Sequence, residues 1–363
     1  IENSGTLRAS EDATVRTAGE FSNSGALTAG RHVDIQAASL TSSHSSVLAA
    51  GVQNDGKLAE SGDLRLHADG QLSAHGQTLA GGSLRASGQG VDVRGSQTQG
   101  QRVELDSGAG NLLSQNAEVN ARELTLRSGQ TLNNDGGTLS ADAITLSAQH
   151  LSNHKGKLVQ TGSGALVVKL PGDIDNREGE IAANGDIQLA AQSVNNQGGK
   201  VLAAQNGSLT AHARTTLDNR KGTLAAAGDT RIDAGILNNN EGLISAATGR
   251  GDIRSAQAVS NNKGRIEAAK TQAISAAGLN NQQGVIVADG ATLALADGAF
   301  NNQSGSLYSH SGLAIYSGAL NNQHGYLASS GTLTFKGGDV DNRAGQFATE
   351  QTLDASFSAF LNQ

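Results

Sequence analysis

A short pattern recurs along most of this chain at a nearly constant spacing. It reads apolar, Asn or Asp, Asn, two polar residues, Gly, any residue, apolar, as in LNNQHGYL at residues 320–327. Its second Asn marks the series Asn134, Asn153, Asn176, Asn196, Asn219, Asn239, Asn261, Asn281, Asn302, Asn322, Asn342 and Asn362. Six of the eleven intervals are 20 residues and the others are 19 to 23. A period of this size indicates a repeat protein whose units bury their apolar faces against their neighbours.

The composition allows only a thin core. Aromatic residues make up 2% of the 363 residues, Met and Trp are absent, and Gly occupies 48 positions. Large side chains supply most of the buried area in globular cores, so Leu, Ile, Val and Ala must fill the core here. The mean hydropathy of −0.32 also suits a disordered chain. Regularly spaced apolar residues argue against disorder, because a chain with nothing to bury has no reason to keep a register.

Apolar residues alternate within each unit. In EIAANGDIQLAAQSV, residues 180–194, Ile181 and Ala183 precede a Gly-Asp turn, and Ile187, Leu189 and Ala191 follow it. Period-two alternation between Gly, Asn and Asp residues predicts short strands. Three such strands per 20 residues predict an all-β parallel β-helix, or solenoid. An α-solenoid is excluded because a helix needs about ten residues with apolar positions at a 3.6 period, whereas the apolar positions here alternate between turns of Gly and Asn.

The recurring Asn is expected to be structural. In stacked coils each amide would lie over the next, donating to one neighbour and accepting from the other in an Asn ladder. The expected members are Asn134, Asn153, Asn176, Asn196, Asn219, Asn239, Asn261, Asn281, Asn302, Asn322 and Asn342. We also expect the Asn, and the Gly three residues later, to adopt the left-handed backbone of a sharp corner.

The repeat is less regular before residue 131. We therefore predict irregular coils over residues 1–130 and regular coils over 131–363. Equivalent apolar positions can be traced through Val47, Leu58, Leu79, Val119 and Leu139. The short interval before Leu58 predicts a loop or an irregular coil, and the apolar-poor QTQGQ at residues 97–101 predicts a second departure from the regular coil.

Charge and motifs exclude several classes of function. The net charge is −7 without a basic stripe, which argues against nucleic acid as a partner. No apolar run approaches the roughly 18 residues of a membrane helix, so we expect no membrane insertion by this segment. There is no Cys, no cofactor motif and no motif of a catalytic site. His150 and His154 approach metal-ligand spacing, but they lie in a turn, and solvated histidines are the better interpretation.

Arg250, Gly251 and Asp252 form a tripeptide that can bind integrins when an exposed loop presents it. The unit is lengthened here, which would carry Arg250 outward. The alternative is that Asp252 belongs to the Gly-Asp turn of the repeat and follows Arg250 by chance. Chance is the better explanation in a chain this rich in Gly.

The pattern LNNxxGxLxAxGxLxLxA is visible from Leu132 and from Leu320. It resembles the haemagglutinin repeat of filamentous-haemagglutinin-like exoproteins, a family of adhesins and of effectors of contact-dependent growth inhibition. The resemblance implies a right-handed β-helix and export by an outer-membrane two-partner secretion transporter. It also implies display at the outer surface of a Gram-negative cell. The secretion domain and toxin region of the family are not recognisable in this sequence, so we expect it to be an internal segment of a longer protein.

We therefore expect a non-enzymatic stalk of a secreted exoprotein, with a target-cell receptor or a host surface glycan or protein as its partner. It would mediate adhesion or present a distal toxin or receptor-binding domain. The alternative is a polysaccharide-binding or polysaccharide-degrading β-helix, which the few aromatic residues and the lack of an acidic cluster disfavour. Binding along the side of the stalk is a third hypothesis, with Tyr308, Tyr316 and Tyr326 as its best candidates.

Overall fold

The alternating runs form parallel strands in the computed structural model, which describes residues 1–296 and 298–363. The described residues contain no helix, and therefore none that could cross a membrane. Strands about 20 residues apart pair side by side, giving a β-solenoid of about 18 turns. The prediction of an all-β parallel solenoid is thus confirmed. Unit 1 comprises residues 1–175 and 179–181, and unit 2 comprises residues 176–178 and 182–363.

The strands of unit 1 are short, and most coils contain three of them. In chain order they are β1 (Glu2–Asn3), β2 (Thr6–Ala9), β3 (Ala13–Arg16), β4 (Glu20–Asn23), β5 (Ala26–Ala29), β6 (Val33–Ala37), β7 (Ser39–Ser42), β8 (Val47–Ala50), β9 (Leu64–Ala68), β10 (Gln71–Ala74), β11 (Gln77–Ala80), β12 (Ser83–Ser87), β13 (Gly90–Asp92), β14 (Gln97–Asp106), β15 (Leu112–Leu113), β16 (Glu118–Arg127), β17 (Thr131–Asn133), β18 (Thr138–Ser147), β19 (His150–Ser152), β20 (Lys157–Gln160), β21 (Leu166–Lys169) and β22 (Ile174–Asp175).

Strand β23 (Glu180–Ala183) contains residues of both units. The strands of unit 2 that follow it are β24 (Ile187–Ala191), β25 (Val194–Asn195), β26 (Lys200–Ala203), β27 (Leu209–Asp218), β28 (Thr223–Ala226), β29 (Thr230–Asn238), β30 (Leu243–Ala246), β31 (Gly251–Ser255), β32 (Ala258–Ser260), β33 (Arg265–Ser275), β34 (Gly278–Asn280), β35 (Val285–Ala294), β36 (Phe300–Asn301), β37 (Ser306–Ser317), β38 (Leu320–Asn321), β39 (Tyr326–Ser329), β40 (Thr332–Gly337), β41 (Val340–Asp341), β42 (Gln346–Thr349), β43 (Leu353–Ser356) and β44 (Phe360–Leu361).

Several coils depart from three separate strands. Two neighbouring strands merge across the corner between them in β18 and β37, which are 10 and 12 residues long. The merged strands keep the alternation of inward and outward side chains on either side of the corner. Pairing stops at the corner residues and resumes directly after them, at Ala143 in β18 and at Gly312 in β37.

The core is a set of columns of aliphatic side chains, each stacked on its equivalent one coil away. One column of unit 2 is buried along its whole length and consists of Val201, Leu224, Ile244, Ile266, Ile286, Leu307 and Leu327. Parallel pairing sets each coil about 4.8 Å from the next, so β-branched and Leu side chains pack directly on one another. This is the thin core that the composition predicts.

The predicted apolar register of the first third is wrong at three positions. Val47 and Leu79 point outward and are half-buried, while Leu48 and Thr78 face the core and pair with each other. Leu58 lies outside the stacked strands. Hydropathy predicted the wrong register because a polar Thr takes an inward position here. Its branched Cβ fits a strand, and a shift of one residue moves every side chain to the opposite face.

The two predicted irregularities had different outcomes. The interval before Leu58 holds an antiparallel bridge between Val52 and Leu58, with Gly56 N donating to Gln53 O at 3.0 Å across the turn. Residues 97–101 instead belong to the continuous strand β14, so the second expectation is wrong. Thr98 is buried there and its hydroxyl lies 3.0 Å from that of Ser96. A hydrogen-bonded Thr and a Gly thus replace the missing apolar residues.

Candidate functional site

The second Asn of each repeat in unit 2 points into the solenoid and is buried, apart from the exposed Asn362. Each Nδ2 donates to the Oδ1 of the equivalent Asn one coil further on, over 2.6 to 2.9 Å. The members in order are Asn176, Asn196, Asn219, Asn239, Asn261, Asn281, Asn302, Asn322, Asn342 and Asn362. We call this set the asparagine column of unit 2.

Most amides in the column also contact two backbone carbonyls. Asn196 Nδ2 lies 3.2 Å from Gly199 O in its own turn and 3.1 Å from Thr223 O in the next coil. Its backbone N–H donates to Asp218 O at 2.7 Å. Such buried polar groups stabilise a fold only when they are satisfied, and an orphaned one costs about 1–3 kcal/mol. The column therefore ties each coil to the next through side chain and backbone together.

The corresponding column in unit 1 is interrupted. Asn3 Nδ2 donates to Asn23 Oδ1 at 2.8 Å, and Asn23 Nδ2 donates to Ser42 Oγ at 3.3 Å. Strand register then places Ala74 and Val93 at the equivalent positions.

The unit 1 column resumes after these two apolar residues. Ser114 Oγ donates to Asn134 Oδ1 at 3.3 Å, and Asn134 Nδ2 donates to Asn153 Oδ1 at 2.8 Å. Asn3 and Asn23 were not among the predicted members, although they follow Ile1 and Phe21 in two similar heptapeptides 20 residues apart. Ser replaces Asn in the column where a hydroxyl can make the same contact.

The expectation for the left-handed backbone is wrong. The residue with positive φ is the second one after the Asn, for example Lys221 at 57° and Glu241 at 58°. Gly222, three residues after Asn219, has no positive φ. A Cβ on it would overlap the carbonyl oxygen of Asn196 in the preceding coil. Gly is thus required by the close approach of two coils, not by backbone conformation.

The first residue of the Asn pair has a separate role that the repeat pattern did not predict. Its side-chain oxygen accepts a hydrogen bond from the backbone N–H two residues later, which is an Asx turn. Asn195 Oδ1 accepts from Gln197 N at 3.1 Å, and Asn301 Oδ1 from Gln303 N at 3.2 Å. The motif therefore joins an outer Asn that shapes the turn to an inner Asn that links coils. The sequence signal for this role was the Asn or Asp that stands two residues before a polar residue in most repeats.

Where an Asp takes the outer position, an Arg follows two residues later. Asp92 with Arg94, Asp218 with Arg220, and Asp341 with Arg343 form ion pairs of 2.6, 2.6 and 2.7 Å. Asp175 and Arg177 repeat the pattern in sequence. The carboxylate accepts from the backbone N–H and from the guanidinium of the same Arg, so one residue satisfies both of its oxygens.

These pairs shift the pKa of two carboxyl groups. Hydrogen bonds from Arg343, and then from Gln323, hold the pKa of Asp341 well below its usual range. Burial acts to raise the pKa of Asp92. Hydrogen bonds from Arg94 and the nearby His75 outweigh burial, so the pKa of Asp92 is lowered. Both carboxylates are therefore charged at neutral pH.

The Arg250 tripeptide lies at a corner and the start of a strand. Arg250 is exposed and its backbone N–H donates to Asp229 Oδ1 at 2.8 Å. Gly251 is buried as the first residue of β31, and the half-buried Asp252 carboxylate lies 3.3 Å from Arg254. Cell binding through this tripeptide stays a prediction.

Other candidate residues are spread over the surface. His150 Nδ1 accepts from Asp173 N at 3.1 Å. No group of three or more His, Cys, Asp or Glu side chains that could hold a metal occurs in residues 1–296 and 298–363. Tyr308 and Tyr326 occupy outward positions two residues apart in register on paired strands, whereas Tyr316 follows the corner within β37. The structure thus places two of the three tyrosines on paired strands.

Comparison with protein families matches the haemagglutinin repeat to residues 1–76, 48–134, 102–177, 159–249, 246–304 and 296–357. The chain belongs to the haemagglutinin repeat family. The inner Asn, the outer Asn or Asp and the close-packed Gly described above lie within the residues that match this repeat.

A curated relative is Toxin CdiA of Yersinia pestis, to which this chain is 42% identical over 146 residues. The match covers 40% of this chain and 4% of that protein, so the chain spans a small part of the length of this relative. No solved structure matches the haemagglutinin repeats of this chain.

Proposed function

We propose that these haemagglutinin repeats form a non-enzymatic stalk segment of a large secreted exoprotein displayed on a Gram-negative cell. The stalk carries a distal toxin or receptor-binding domain toward a target cell, after export through an outer-membrane two-partner secretion transporter. The observation that carries the proposal is the match of one structural repeat to residues 1–357. Because every repeat of the chain stacks a coil on its neighbours, the chain is suited to spanning a distance rather than to catalysis.

The similarity to a protein named as a toxin supports toxin presentation over adhesion alone. The interior supports a mechanical role as well. The buried amides of the unit 2 column are satisfied by neighbouring coils, so the polar groups of the core hold the stack together.

Deletion of whole coils in the full-length exoprotein tests this proposal. Removing residues 197–239 joins Asn196 to Asn240, takes out two coils and keeps the register. Removing residues 197–207 takes out part of one coil and breaks the register. The measurements are surface display of the exoprotein and growth inhibition of, or adhesion to, target cells.

We expect the whole-coil deletion to keep display and target-cell activity, because a stalk tolerates a change of length. The part-coil deletion should lose both, because the columns no longer meet. Loss of activity with normal display after the whole-coil deletion would contradict a stalk and indicate a binding or catalytic site within those coils.

A further inference from the structure

One face of unit 2 is a parallel sheet that carries two columns of outward side chains. It is formed, in order, by β28, β30, the first part of β33, the first part of β35, the first part of β37 and β39. Each strand contributes one residue to each column. The first column runs from Thr223 to Tyr326 and the second from Ala225 to Ala328, and we call the two together the paired-column face.

The outward side chains of this face are largely apolar. Val285 and Val287 of β35 point outward and are half-buried, as is Leu243 of β30. Tyr326 is 39% exposed. A sheet face that meets only water normally presents polar residues at its outward positions. Contiguous apolar residues at such positions mark a surface that contacts another molecule.

Arg265 and Glu267 are the only charged residues in the two columns, all of whose members are described residues. They lie in one coil, one in each column, and Arg265 Nε donates to Glu267 Oε2 at 2.5 Å. Glu267 Oε1 also accepts from Ser245 Oγ at 3.0 Å. The two terminal nitrogens of the exposed Arg265 make no hydrogen bond within residues 1–296 and 298–363. They are therefore free to bind a second carboxylate.

We propose that the paired-column face binds the same face of a second copy of this chain, about a two-fold axis parallel to the solenoid axis. Such an axis keeps equivalent coils side by side and lays the first column of each copy on the second column of the other. Arg265 then faces Glu267 of the second copy, and Glu267 faces Arg265 of the second copy. The two charges of the face thus pair twice across the interface.

The same axis matches the sizes of the side chains in the following coils. Tyr326 falls opposite Ala328 of the second copy, and Tyr308 falls opposite Ser306. The two outward valines of β35 fall opposite each other's equivalents. Large side chains therefore meet small ones, and apolar side chains meet apolar ones, as two packed sheets require.

The opposite orientation of the second copy is disfavoured. A two-fold axis parallel to the strands reverses the order of the coils and lays each column on itself. If that axis passes through β33, Arg265 meets Arg265 and Glu267 meets Glu267, and like charges repel. If it passes through another strand, both charged residues are covered by uncharged side chains, which costs their desolvation without a new partner. Only the parallel arrangement satisfies both charges.

This inference goes beyond a stalk, because it gives the side of unit 2 a partner. Two columns over six coils form a small interface, so we expect weak association that close placement of the copies strengthens. Copies displayed by one cell would extend in the same direction, as the parallel pairing needs, and this point alone rests on the proposed function. A monomeric chain that still tolerates whole-coil deletion would overturn the pairing and leave the stalk proposal intact.

Charge reversal in the whole 363-residue chain tests the pairing, with dimerisation measured by sedimentation velocity from about 1 to about 300 µM. Glu267→Arg leaves two cations on the face and Arg265→Glu leaves two anions. Each variant should therefore dimerise about tenfold more weakly than the unaltered chain, or by about 1.4 kcal/mol. An equimolar mixture of the two variants should recover the dimerisation of the unaltered chain, because every Arg again faces a Glu of the other variant.

Three further variants locate the contact. Arg265→Glu combined with Glu267→Arg exchanges the two charges within one chain and should dimerise as the unaltered chain does. Val287→Glu leaves the ion pair in place but sets a carboxylate against an apolar residue of the second copy, so it should weaken dimerisation. Thr292→Arg adds a charge to the exposed part of β35 beyond the corner, outside the paired-column face, and should have no effect.

Circular dichroism shows whether each variant keeps its β-structure, and Val287→Glu replaces a single charge reversal that does not fold. The proposal is overturned if the unaltered chain stays monomeric over the whole range of concentration. It is also overturned if the folded single variants dimerise as strongly as the unaltered chain, or if the mixture of opposite variants does not recover dimerisation.

Discussion

At the scale of the residue, neighbouring positions of the haemagglutinin repeat are constrained for different physical reasons. Lys221 carries the left-handed backbone, while Gly222 beside it makes room for the preceding coil. The sequence suggested one shared reason, because Gly is the residue most often associated with positive φ. The two reasons can be distinguished only from the distance between coils, and the sequence of one repeat does not give that distance.

Substitutions at Lys221 and Gly222 should have opposite effects on the stability of the fold. We expect Lys221→Gly to be neutral or to stabilise the fold by up to about 1 kcal/mol, because it relieves the cost of a left-handed L-residue. Gly222→Ala should destabilise the fold by about 1–3 kcal/mol, because its Cβ overlaps Asn196 O. Urea unfolding followed by circular dichroism measures both. A harmless Gly222→Ala would show that the coils are further apart than described.

The inner Asn provides a second test at this scale. Asn261→Ala leaves the Oδ1 of Asn281 without its donor and removes one of the three acceptors of the Asn239 Nδ2. The orphaned Asn281 oxygen alone costs about 1–3 kcal/mol, so the midpoint of urea unfolding should fall clearly.

The adjacent Asn262 is the matched control, because its buried Oδ1 has no hydrogen-bond partner among the described residues. Asn262→Ala should therefore change stability little. Equal losses for the two variants would show that the column adds no stability beyond that of any turn residue.

At the scale of the element, the turn is the unit that repeats most faithfully. An outer Asn or Asp caps the turn, an inner Asn links coils, and a Gly completes it. The sequence predicted the inner contact as a column because the spacing of about 20 residues implied stacking. It did not predict the outer cap, because an Asn or Asp two positions before a polar residue occurs in sequences for many reasons.

The stability of the turns that contain an Asp and Arg pair should depend on pH in the acid range. The pKa of Asp92 is lowered in the folded chain from the ordinary value of 3.8. Its contribution to stability is therefore complete above about that pH and is lost as pH falls through the lower folded value. Peptides covering residues 90–96 should lose protection from hydrogen exchange between pH 5 and pH 2, once the observed rate is divided by the slower intrinsic rate at each pH.

Arg94→Gln should reduce this dependence, because it removes the main group that holds the Asp92 carboxylate charged. Arg65→Gln changes an exposed Arg without an ion pair among the described residues and serves as its control. An Arg94→Gln variant with the full acid dependence would assign the effect to another group, with His75 the nearest at 3.1 Å.

At the scale of the whole molecule, the period of the inner Asn was enough to predict a parallel solenoid. The details of unit 1 were not predictable in the same way. Thr78 and Thr98 take inward positions, so hydropathy alone gives a register shifted by one residue. The antiparallel bridge between Val52 and Leu58 was predicted only as a loop or an irregular coil.

The most direct test of the central claim measures whether each repeat adds one coil. The chain has no Cys, so spin labels attach only at introduced positions. Thr210 and Thr292 are separated by four coil steps, and Thr210 and Thr334 by six, along one outward column of unit 2. At about 4.8 Å per step these backbone separations are about 19 and 29 Å. Double electron-electron resonance should therefore give a mean distance about 10 Å longer for the second pair, and equal distances for both pairs would contradict a stack of one coil per repeat.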